Sequence, residues 1–379
     1  MVHSTVSSAA PLSDRSLLAI NCGSSSIKFG LFTCEPAPVV LGRGSVSAPA
    51  TAAAFEQVME RVAAAMVRYP LAAVGHRIVH GGPALSEPQR ITPELVASLR
   101  QLVRFAPNHL PDEIGLIESA QRRLPATPQV VCFDTAFHAD LPEVARRLAV
   151  PERYAAEGVR RYGFHGLSYT FLLDELTRRT GARSTAQKIV LAHLGNGSSL
   201  AAVRGNTSID TSMGLTPIGG VVMSTRSGDL DPGVVTYIAR STGFDADQVE
   251  DELSHRSGLA ALSGGTTDMR ELLAGEANDE RCRVAVSIYC YAVRKQIGAY
   301  AAALGGLDVL VFSGGIGEHA AVVRSRVCEG LGFLGLEIDE RRNAADAPLI
   351  SSPAARVAVH VIPTDEEVVI ARAAYRLLQ

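Results

Sequence analysis

Two short stretches of the sequence place glycines and hydroxyl side chains between apolar runs. Residues 195–197 (Gly-Asn-Gly) are followed by Ser198 and Ser199 and separate the apolar runs 189–194 and 200–203. Such a turn can aim several backbone N–H groups at one point, which suits a phosphate. An ordinary β-hairpin turn between two strands is the alternative interpretation of the same residues.

The same arrangement occurs about one domain length earlier in the chain. The apolar run 17–20 leads into residues 21–26 (Asn-Cys-Gly-Ser-Ser-Ser), and a second apolar run, 27–32, follows. This repeat predicts two similar halves that face each other across a cleft, each with a phosphate-type turn. Lys28 lies just beyond the first turn, where its ammonium could reach a phosphate oxygen or remain a solvent-exposed lysine at a strand edge.

Four further side chains occupy positions where a strand end or a constrained loop could present them to a ligand. Arg77 lies within an apolar, strand-like run, and Arg226 lies on a loop among hydroxyl residues and a glycine. Asp134 follows a short apolar run, and ligands of α/β sheets bind at the carboxyl ends of the strands. His165 stands between an aromatic residue and a glycine, just ahead of a predicted helix. Each also has an ordinary interpretation: a snorkelling or solvated arginine, a turn-capping aspartate or a structural histidine.

Glycines and acidic residues occur at two more strand ends. The apolar run 308–312 leads into residues 313–318 (Ser-Gly-Gly-Ile-Gly-Glu) before a helix, which suits a nucleotide phosphate or ribose but is common in α/β proteins. Further on, Thr364 and Glu367 fit a capping box, with Thr364 as the N-cap of the last helix. This assignment leaves Glu366 available, and acidic groups beside a phosphate could hold Mg²⁺.

The composition limits the classes of protein to which the chain could belong. The chain has 379 residues, of which 47% are hydrophobic and 20% charged, and a net charge of −3. These values predict a globular protein with room for two domains and without the basic surface that nucleic-acid binding needs. No apolar stretch approaches the length of a membrane span, and residues 1–14 look like a flexible extension without the features of a secretory signal. The six cysteines form no C-x-x-C pair, so we expect reduced thiols and a cytoplasmic location.

Strand-like and helix-like segments alternate along the whole chain, which predicts an α/β fold. The Walker A pattern G-x-x-x-x-G-K-[ST] is absent from the sequence, which excludes the common P-loop type of nucleotide site. What remains is a set of Gly/Ser turns, loop-borne arginines, a histidine and strand-end carboxylates. This set fits phosphoryl transfer, in which positioning and charge neutralisation supply most of the catalysis.

Seven motifs together resemble those of one known family. They are residues 21–29 (NCGSSSIKF), 75–82 (GHRIVHGG), 133–138 (FDTAFH), 162–166 (YGFHG), 193–199 (HLGNGSS), 210–214 (DTSMG) and 225–229 (TRSGD). Their composition and order are similar to those of acetate kinases over nearly the whole chain beyond the N-terminal extension. The resemblance implies a cytoplasmic homodimer that uses ATP and Mg²⁺, or Mn²⁺ in its place, to convert acetate into acetyl phosphate and ADP.

The resemblance also implies the architecture. It predicts two similar domains of the actin/Hsp70/sugar-kinase (ribonuclease H-like) type that flank a cleft. The N-terminal domain would comprise residues 15–150 and 367–379, and the C-terminal domain residues 151–366.

The resemblance further implies roles for residues in the reaction. Asn21 and Glu366 would hold Mg²⁺, and Asp134 would be the catalytic acid of the family. His165 and Arg226 would stabilise the transition state. Because a carboxylate substrate is already ionised at neutral pH, it needs no strong general base, and we expect Asp134 to position its neighbours and tune the local charge more than to move a proton.

The remaining implied roles concern binding of the two substrates. Arg77 would bind the carboxylate, and the pocket for the methyl group would be lined by Val79, Phe164 and Pro217. The nucleotide would contact Lys28, His193, Leu194, Gly195, Asn196, Gly197, Asp268, Met269, Arg270, Gly315, Ile316, Gly317, Glu318 and His319.

Three positions depart from the usual motifs of the family. Asn108 stands where a pocket leucine is usual, Gly219 where a glutamate is usual, and His319 where an asparagine is usual. The alternative function is therefore a relative that acts on propionate or butyrate, or one that uses another phosphoryl donor such as pyrophosphate. A non-catalytic, ATP-switched module of the actin/Hsp70 type is a further alternative, but it leaves Arg77 and Arg226 unexplained.

Overall fold

The computed structural model of the chain describes residues 11–23, 26–49, 51–181 and 186–379. Most of the predicted N-terminal extension (residues 1–10) and the Ser24-Ser25 pair of the first glycine turn lie outside the described residues. The described part of the extension contains a short 3₁₀ helix, Leu12–Asp14.

The backbone divides into two compact units. The first unit comprises Met1–Ala136 and Asp365–Gln379, and the second unit comprises Phe137–Thr364. These units assign residues 137–150 and 365–366 differently from the domains expected from the sequence. The domain boundaries themselves stay a prediction.

The first unit is built on a mixed sheet. Within the described residues, its strands are β1 (Ser16–Cys22), β2 (Ile27–Thr33), β3 (Val40–Val46), β4 (Leu71–Ile78), β5 (Gln89–Arg90) and β6 (Gln129–Phe133). They lie in the order β3-β2-β1-β4-β6-β5. The pairs β1–β2 and β2–β3 are antiparallel, whereas β1–β4 and β4–β6 are parallel. The carboxyl ends of β1, β4 and β6 therefore meet at one edge of the sheet.

Helices cover this sheet with apolar faces that the sequence predicts. The helices of the unit are α1 (Ala52–Arg68), α2 (Pro93–Gln101), α3 (Leu110–Arg123) and the last helix of the chain, α15 (Glu366–Leu378). Phe55, Val58 and Val62 of α1 are buried at helical spacing. Thr92 caps α2 by accepting the Leu95 N–H, as expected from the Thr-Pro-Glu start of that helix.

The second unit repeats the sheet of the first. Its described strands are β7 (Lys188–Leu194), β8 (Ser198–Arg204), β9 (Thr207–Thr211), β10 (Val309–Ser313) and β11 (Ala358–Val361). They lie in the order β11-β10-β7-β8-β9, with β7–β8 and β8–β9 antiparallel and β7–β10 and β10–β11 parallel. Three antiparallel strands continued by two parallel ones occur in both units. This shared topology confirms the predicted α/β class and its two similar halves.

The helices of the second unit range from single turns to one of 25 residues. They are α4 (Glu143–Arg146), α5 (Glu152–Ala156), α6 (Gly166–Thr180), α7 (Pro232–Thr242), α8 (Ala246–His255), α9 (Gly258–Ser263), α10 (Met269–Gly275), α11 (Glu280–Leu304), α12 (Gly314–His319), α13 (Ala321–Cys328) and α14 (Glu340–Ala344). Tyr289, Val293 and Ile297 of α11 are completely buried in the core of the unit. By contrast, α7 buries none of its residues and exposes Val234 and Tyr237.

The start of α15 differs from the predicted capping box. Asp365, not Thr364, is the N-cap, and its carboxylate accepts the Val368 N–H at 3.1 Å. The Thr364 hydroxyl lies 2.8 Å from the Ser168 hydroxyl instead. The assignment of Thr364 as the N-cap is therefore wrong, because a carboxylate one residue later caps the helix and Thr364 is engaged elsewhere. Glu366 is the first residue of the helix, where a carboxylate is favoured by the helix dipole.

All six cysteines are buried thiols without a disulfide, as expected. Burial raises the pKa of the Cys22 thiol to about 12, so this sulfur is not poised to act as a nucleophile. None of the helices in the described part of the chain is long and apolar enough to span a membrane.

Candidate active site

Four predicted site residues of the first unit lie at the carboxyl edge of its sheet. Asn21 is at the end of β1, Arg77 is near the end of β4, and Asp134 directly follows β6. Glu366 joins them from the first turn of α15. Because these strands are adjacent and parallel, their last residues come together at one edge, as the apolar runs ahead of Arg77 and Asp134 predict.

The Arg77 guanidinium is the centre of this group. Its Nη2 donates to Asp134 Oδ2 at 2.8 Å, and its Nη1 donates to the Cys22 carbonyl at 2.9 Å. Nη1 also lies 3.5 Å from Glu113 Oε1, and only 13% of the Arg77 side chain is exposed. Burial by itself would lower the pKa of Arg77, but Asp134, Glu113 and Glu366 raise it above its usual value. Arg77 is thus a fixed cation of the site and not a snorkelling arginine.

Asn21 connects the end of β1 to α15. Its Nδ2 donates to Glu366 Oε2 at 2.8 Å and to Glu367 Oε1 at 3.2 Å. Burial and the nearby Asp134 carboxylate raise the pKa of Glu366 well above its usual value, against the opposite influence of Arg77. The edge therefore holds more carboxylates than the Arg77 guanidinium alone can balance, and a divalent cation would relieve this excess of negative charge.

The chemistry of these donors fits Mg²⁺ better than a soft metal. An amide oxygen and carboxylate oxygens are ligands that Mg²⁺ accepts, and it keeps most of its waters. Among the described residues, no group of three histidine, cysteine, aspartate or glutamate side chains is arranged to enclose a metal ion. The amide oxygen of Asn21 and the carboxylate of Glu366 are the donors that would suit Mg²⁺ at this edge.

Lys28 belongs to the same part of the first unit. It is the direct cross-strand partner of Asn21 in the β1–β2 pair, so the two side chains share one face of the sheet. Lys28 is exposed on β2, in contrast to its buried neighbours on that strand. Lys28 therefore lies beside Asn21 across the β1–β2 pair, and its contact with a phosphate stays a prediction.

In the second unit, His165 is held in an unusual backbone conformation. It is the N-cap of α6 with φ of 59°, a left-handed conformation that residues other than glycine seldom adopt. Its ring stacks on that of His193, with a centroid distance of 4.3 Å. Its Nδ1 lies 2.8 Å from the Ser199 hydroxyl, which also contacts the Tyr169 hydroxyl. The expectation of a constrained turn at His165 is confirmed.

His193 is fixed in a similar way. Its Nδ1 lies 2.8 Å from the Ser168 hydroxyl, and that hydroxyl lies 2.8 Å from the Thr364 hydroxyl. Each imidazole of the stacked pair therefore has its Nδ1 hydrogen-bonded to a serine. Such bonds fix the tautomer and the orientation of a histidine ring.

Gly197 marks the point at which His165 and Arg226 meet. A Cβ atom on Gly197 would lie 3.2 Å from His165 Nε2 and 3.4 Å from Arg226 Nη1. Arg226 Nη1 also donates to the Pro217 carbonyl at 3.2 Å, which places predicted pocket residue Pro217 beside it. The structure thus brings an imidazole nitrogen and a guanidinium together over the glycine turn that the sequence singled out.

The glycine turn at residues 195–197 is also a β-hairpin connection. It joins β7 to β8, and the Gly195 N–H donates to the Gly197 carbonyl at 3.1 Å within the turn. The Asn196 carbonyl accepts the Ser224 N–H, which ties the loop of Arg226 to this turn. The hairpin interpretation is therefore correct for the backbone, and the Gly195 N–H is used inside the turn.

A second glycine segment lies against this turn. A Cβ on Gly195 would be 3.8 Å from the Gly315 backbone nitrogen, at the start of α12. Gly314, which precedes it, has φ of 75°, and a Cβ there would approach the Leu194 carbonyl oxygen to 2.6 Å, so glycine is required. Glu318 Oε1 accepts the N–H groups of Gly314 and Thr364. The structure thus brings the predicted nucleotide segments at 193–197 and 315–319 together.

Other predicted site residues have less direct links to these groups. Asp268 caps α10 and pairs with Arg270 at 2.6 Å, and both side chains face solvent in part. His319 is 70% exposed and lies 3.9 Å from Glu318 and from Asp346. Phe164 is buried in the second unit.

Three of the predicted nucleotide contacts, Ile316, Gly317 and Met269, have no further support from the geometry. They are buried in the short helices α12 and α10 and stay predictions.

The sequence reasoning missed several residues that support these groups. Glu113 has a buried carboxyl that contacts both the Val79 N–H and Arg77. Its signal was a glutamate on the apolar stripe of α3, at a position where a solvent-facing residue is not expected. The hydroxyls of Ser168 and Tyr169 carried no signal in the sequence beyond their proximity to the motifs, whereas Ser199, a hydroxyl of the glycine turn, was singled out without its contact to His165.

Comparison with known proteins gives one consistent result. The sequence matches the family model of the acetokinase family over residues 44–372. It is 44% identical to acetate kinase of Deinococcus deserti, with 95% of this chain and 97% of that protein covered. It is 40% identical to acetate kinase of Rhodopseudomonas palustris, with 95% and 98% covered.

Solved structures agree with the sequence comparison. Porphyromonas gingivalis acetate kinase superimposes with a TM-score of 0.87 at 35% identity, covering 96% of this chain and 100% of that one. A propionate kinase from Francisella tularensis gives a TM-score of 0.88 at 33% identity, covering 95% and 98%. The chain therefore has the fold of these acetate and propionate kinases, and its relation to the actin/Hsp70/sugar-kinase type stays a prediction.

Proposed function

The chain belongs to the acetokinase family and is an acetate kinase-type phosphotransferase, and we propose that it transfers the γ-phosphate of ATP to acetate, giving acetyl phosphate and ADP. One observation carries the proposal furthest: His165 Nε2 and Arg226 Nη1 converge on Gly197, in the glycine turn of the second unit. A neutral or protonated imidazole and a guanidinium are donors that suit the oxygens of a phosphoryl group in transfer.

The difficulty of this reaction is the repulsion between two anions. The acetate carboxylate is ionised at neutral pH, so the nucleophile needs no activation by a strong base. The γ-phosphate carries the opposing negative charge, and the protein must reduce the repulsion. Arg226 and His165 would stabilise the charge of the transition state, and Arg77 would bind the carboxylate of acetate.

Asp134 would act through Arg77. Its carboxylate accepts a hydrogen bond from Arg77 Nη2 and is only 1% exposed. This ion pair fixes one edge of the guanidinium while the substrate binds. We therefore assign Asp134 the role of orienting Arg77 and adjusting the charge beside it, rather than that of a proton donor.

Asn21 and Glu366 would hold Mg²⁺, or Mn²⁺ in its place. When bound, the metal ion would neutralise charge on the phosphates of ATP. The hydrogen bond from Asn21 to Glu366 and the crowding of carboxylates around Arg77 support this assignment.

The nucleotide would bind along the glycine segments of the second unit. Residues 193–197 and 315–319 are adjacent, and their backbones offer close approach to a phosphate or a ribose. Lys28 stays a predicted phosphate contact, and Asp268, Met269 and Arg270 would contact the nucleotide at the start of α10.

Propionate is the second candidate substrate, because one solved relative of high structural similarity is named a propionate kinase. Asn108 and Gly219, where the family usually has a leucine and a glutamate, leave the chain length of the preferred carboxylate open between acetate and propionate. A hydrophobic pocket distinguishes one methylene group by only ~1–3 kcal/mol, so some activity toward both acids is expected.

Trapping of the acyl phosphate with hydroxylamine would test the substrate. Acetate, propionate and butyrate would be compared with ATP and with pyrophosphate as phosphoryl donors. We expect hydroxamate from ATP with acetate as the preferred acid. Hydroxamate that forms with pyrophosphate but not with ATP would contradict the assignment. A preference for butyrate over acetate would also contradict it.

We expect the protein to work in the cytoplasm as a homodimer, without nucleic-acid or membrane partners. The exposed apolar side chains of α7, namely Val234, Val235 and Tyr237, offer a surface for a second copy of the chain. Sedimentation equilibrium of the native protein and of Tyr237→Glu would test this expectation. A monomeric native protein would contradict it.

Ser199 provides a prediction about His165. We expect Ser199→Ala to lower kcat by up to about tenfold, because the imidazole loses the hydrogen bond that fixes its Nδ1. The KM for ATP should stay nearly unchanged. Tyr169→Phe, which removes only the hydroxyl behind Ser199, should lower kcat by less. An unaltered kcat in Ser199→Ala would show that the ring is oriented without this bond.

A further inference from the structure

Glu113 is a buried carboxyl in an otherwise apolar part of α3. Leu110, Ile114 and Ile117 lie on the same buried stripe of the helix, and Glu113 is only 3% exposed. Burying a carboxylate is costly unless charged and hydrogen-bonded partners compensate. The position therefore calls for an explanation beyond the packing of the helix.

The two oxygens of Glu113 have different surroundings. Oε2 accepts the Val79 N–H at 2.9 Å. Oε1 lies 3.5 Å from Arg77 Nη1 and has no hydrogen-bond donor among the described residues. One carboxyl group thus contacts the backbone of a predicted pocket residue and faces the guanidinium expected to bind the substrate.

The bond to Val79 replaces a missing strand partner. The parallel pairing of β4 with β6 ends at Ile78, opposite Phe133. The Asp134 N–H still donates to the Ile78 carbonyl, and the next amide, that of Val79, is bound by Glu113 instead of by a strand. Glu113 therefore fixes the backbone at the point where the chain leaves the sheet beside Arg77.

Given the proposed reaction, we propose that Glu113 is a positioning residue that holds Arg77 and the Val79 backbone in place for the carboxylate substrate. Asp134 holds Nη2 of the guanidinium, and the Cys22 carbonyl together with Glu113 holds Nη1. Arg77 is thereby fixed from both sides before a substrate binds. Such preorganisation lowers the cost of ordering the site and strengthens binding of the substrate.

The charge of Glu113 changes near neutral pH. Burial raises the pKa of Glu113 to about 7, and Arg77 and the Val79 N–H oppose the increase, whereas Asp134 and Asp112 add to it. Cys22 on β1 carries a further titratable group in this region, and Glu113 contributes to the raised pKa of its thiol. As pH falls through about 7, Glu113 takes up a proton and no longer attracts the guanidinium. The KM for acetate should then rise.

Glu113→Gln separates the two contacts. The amide oxygen still accepts the Val79 N–H, but the charge that faces Arg77 is lost at every pH. At about pH 8 we expect the KM for acetate to rise about tenfold, while kcat and the KM for ATP stay within about twofold of the native values. At about pH 6 the native protein should approach the variant, because its Glu113 is then largely protonated.

Glu118→Gln is the matched control. Glu118 lies on the same helix and pairs with Arg100 at the surface. The KM for acetate of the Glu118→Gln variant should therefore equal that of the native protein at each pH. The melting temperature of each variant would be measured alongside the kinetics. If Glu113→Gln did not fold, Glu113→Asp would be measured in its place, because the shorter side chain keeps the charge but withdraws it from Arg77 and from the Val79 N–H.

Four results would overturn the inference. An unchanged KM for acetate in the variant, equal changes for acetate and ATP, or a native KM for acetate that is constant from about pH 6 to pH 8 would each exclude the positioning role. A native protein without acetate-dependent formation of ADP would overturn the proposed function, and this inference with it.

Discussion

Arg226→Ala should lower kcat by about 10³-fold or more, because an arginine that stabilises the transition state of phosphoryl transfer is worth about 10³–10⁵ in rate. The KM for ATP should change little. The guanidinium lies beside His165 over Gly197, on a loop that is tied to the glycine turn by the bond from Ser224 to Asn196. We therefore expect it to contact the group in transfer rather than the adenosine of the nucleotide.

Steady-state kinetics with both substrates varied would measure this effect. Arg226→Lys should recover only part of kcat, because lysine keeps the charge but not the planar fork of donors. Arg341→Ala, which removes an exposed arginine of α14, should leave kcat unchanged. Losses of similar size in kcat and in the affinity for ATP would contradict the role assigned to Arg226.

Arg77→Ala should reduce both activity and stability. Asp134 and Glu113 would remain buried, and Glu366 half-buried, without the cation that balances them, and breaking a buried ion pair typically costs about 3–5 kcal/mol. The same change removes the proposed anchor for the acetate carboxylate. We therefore expect the melting temperature to fall and kcat/KM for acetate to decrease by about 10³-fold or more, from a loss of at least ~4 kcal/mol of binding in the transition state.

The double variant Arg77→Ala, Asp134→Asn separates the two effects. Without the Asp134 charge, fewer carboxylates are left unpaired, so part of the lost stability should return. Activity should not return, because the anchor for the substrate is still missing. Denaturant unfolding of the native protein and of both variants would measure the change. A single variant as stable as the native protein would show that the guanidinium does not balance these carboxylates.

The sequence was sufficient to predict the parts of the site that depend on strand ends. Arg77 lies within an apolar run and Asp134 directly follows one, and adjacent parallel strands place the ends of such runs at one edge of the sheet. The repeated strand–turn–strand pattern likewise predicted that the two sheets share a topology. These features depend only on the local order of apolar and polar residues, which does not change with the way the rest of the chain packs.

Partners that are distant in the sequence could not be predicted in the same way. In the sequence, Glu113 is one of several charged residues of a predicted helix. Its position opposite Arg77 depends on how α3 packs, which the sequence does not show. The N-cap of α15 was assigned to Thr364 because the spacing to Glu367 fits a capping box. Asp365 fits the same helix start equally well, and the contact of Thr364 with Ser168 decides between them.

The sequence predicts the contacts with the substrates less well than any other part of the site. The convergence of His165, Arg226 and Gly197 follows from hydrogen bonds and backbone conformation that no spacing in the chain encodes. Asp268 and Arg270 pair with each other at the start of α10, and their contact with a nucleotide stays a prediction. The choice between acetate and propionate depends on a few methyl-sized differences, which patterns of residue type do not resolve.

Phosphorus-31 NMR of the purified protein with ATP, Mg²⁺ and acetate would test the central claim most directly. We predict that the γ-phosphate signal of ATP is replaced by those of acetyl phosphate and ADP, and that Arg226→Ala forms almost none of the product in the same time. Release of inorganic phosphate from ATP without an acyl phosphate, or acyl phosphate formed equally well by Arg226→Ala, would contradict the account.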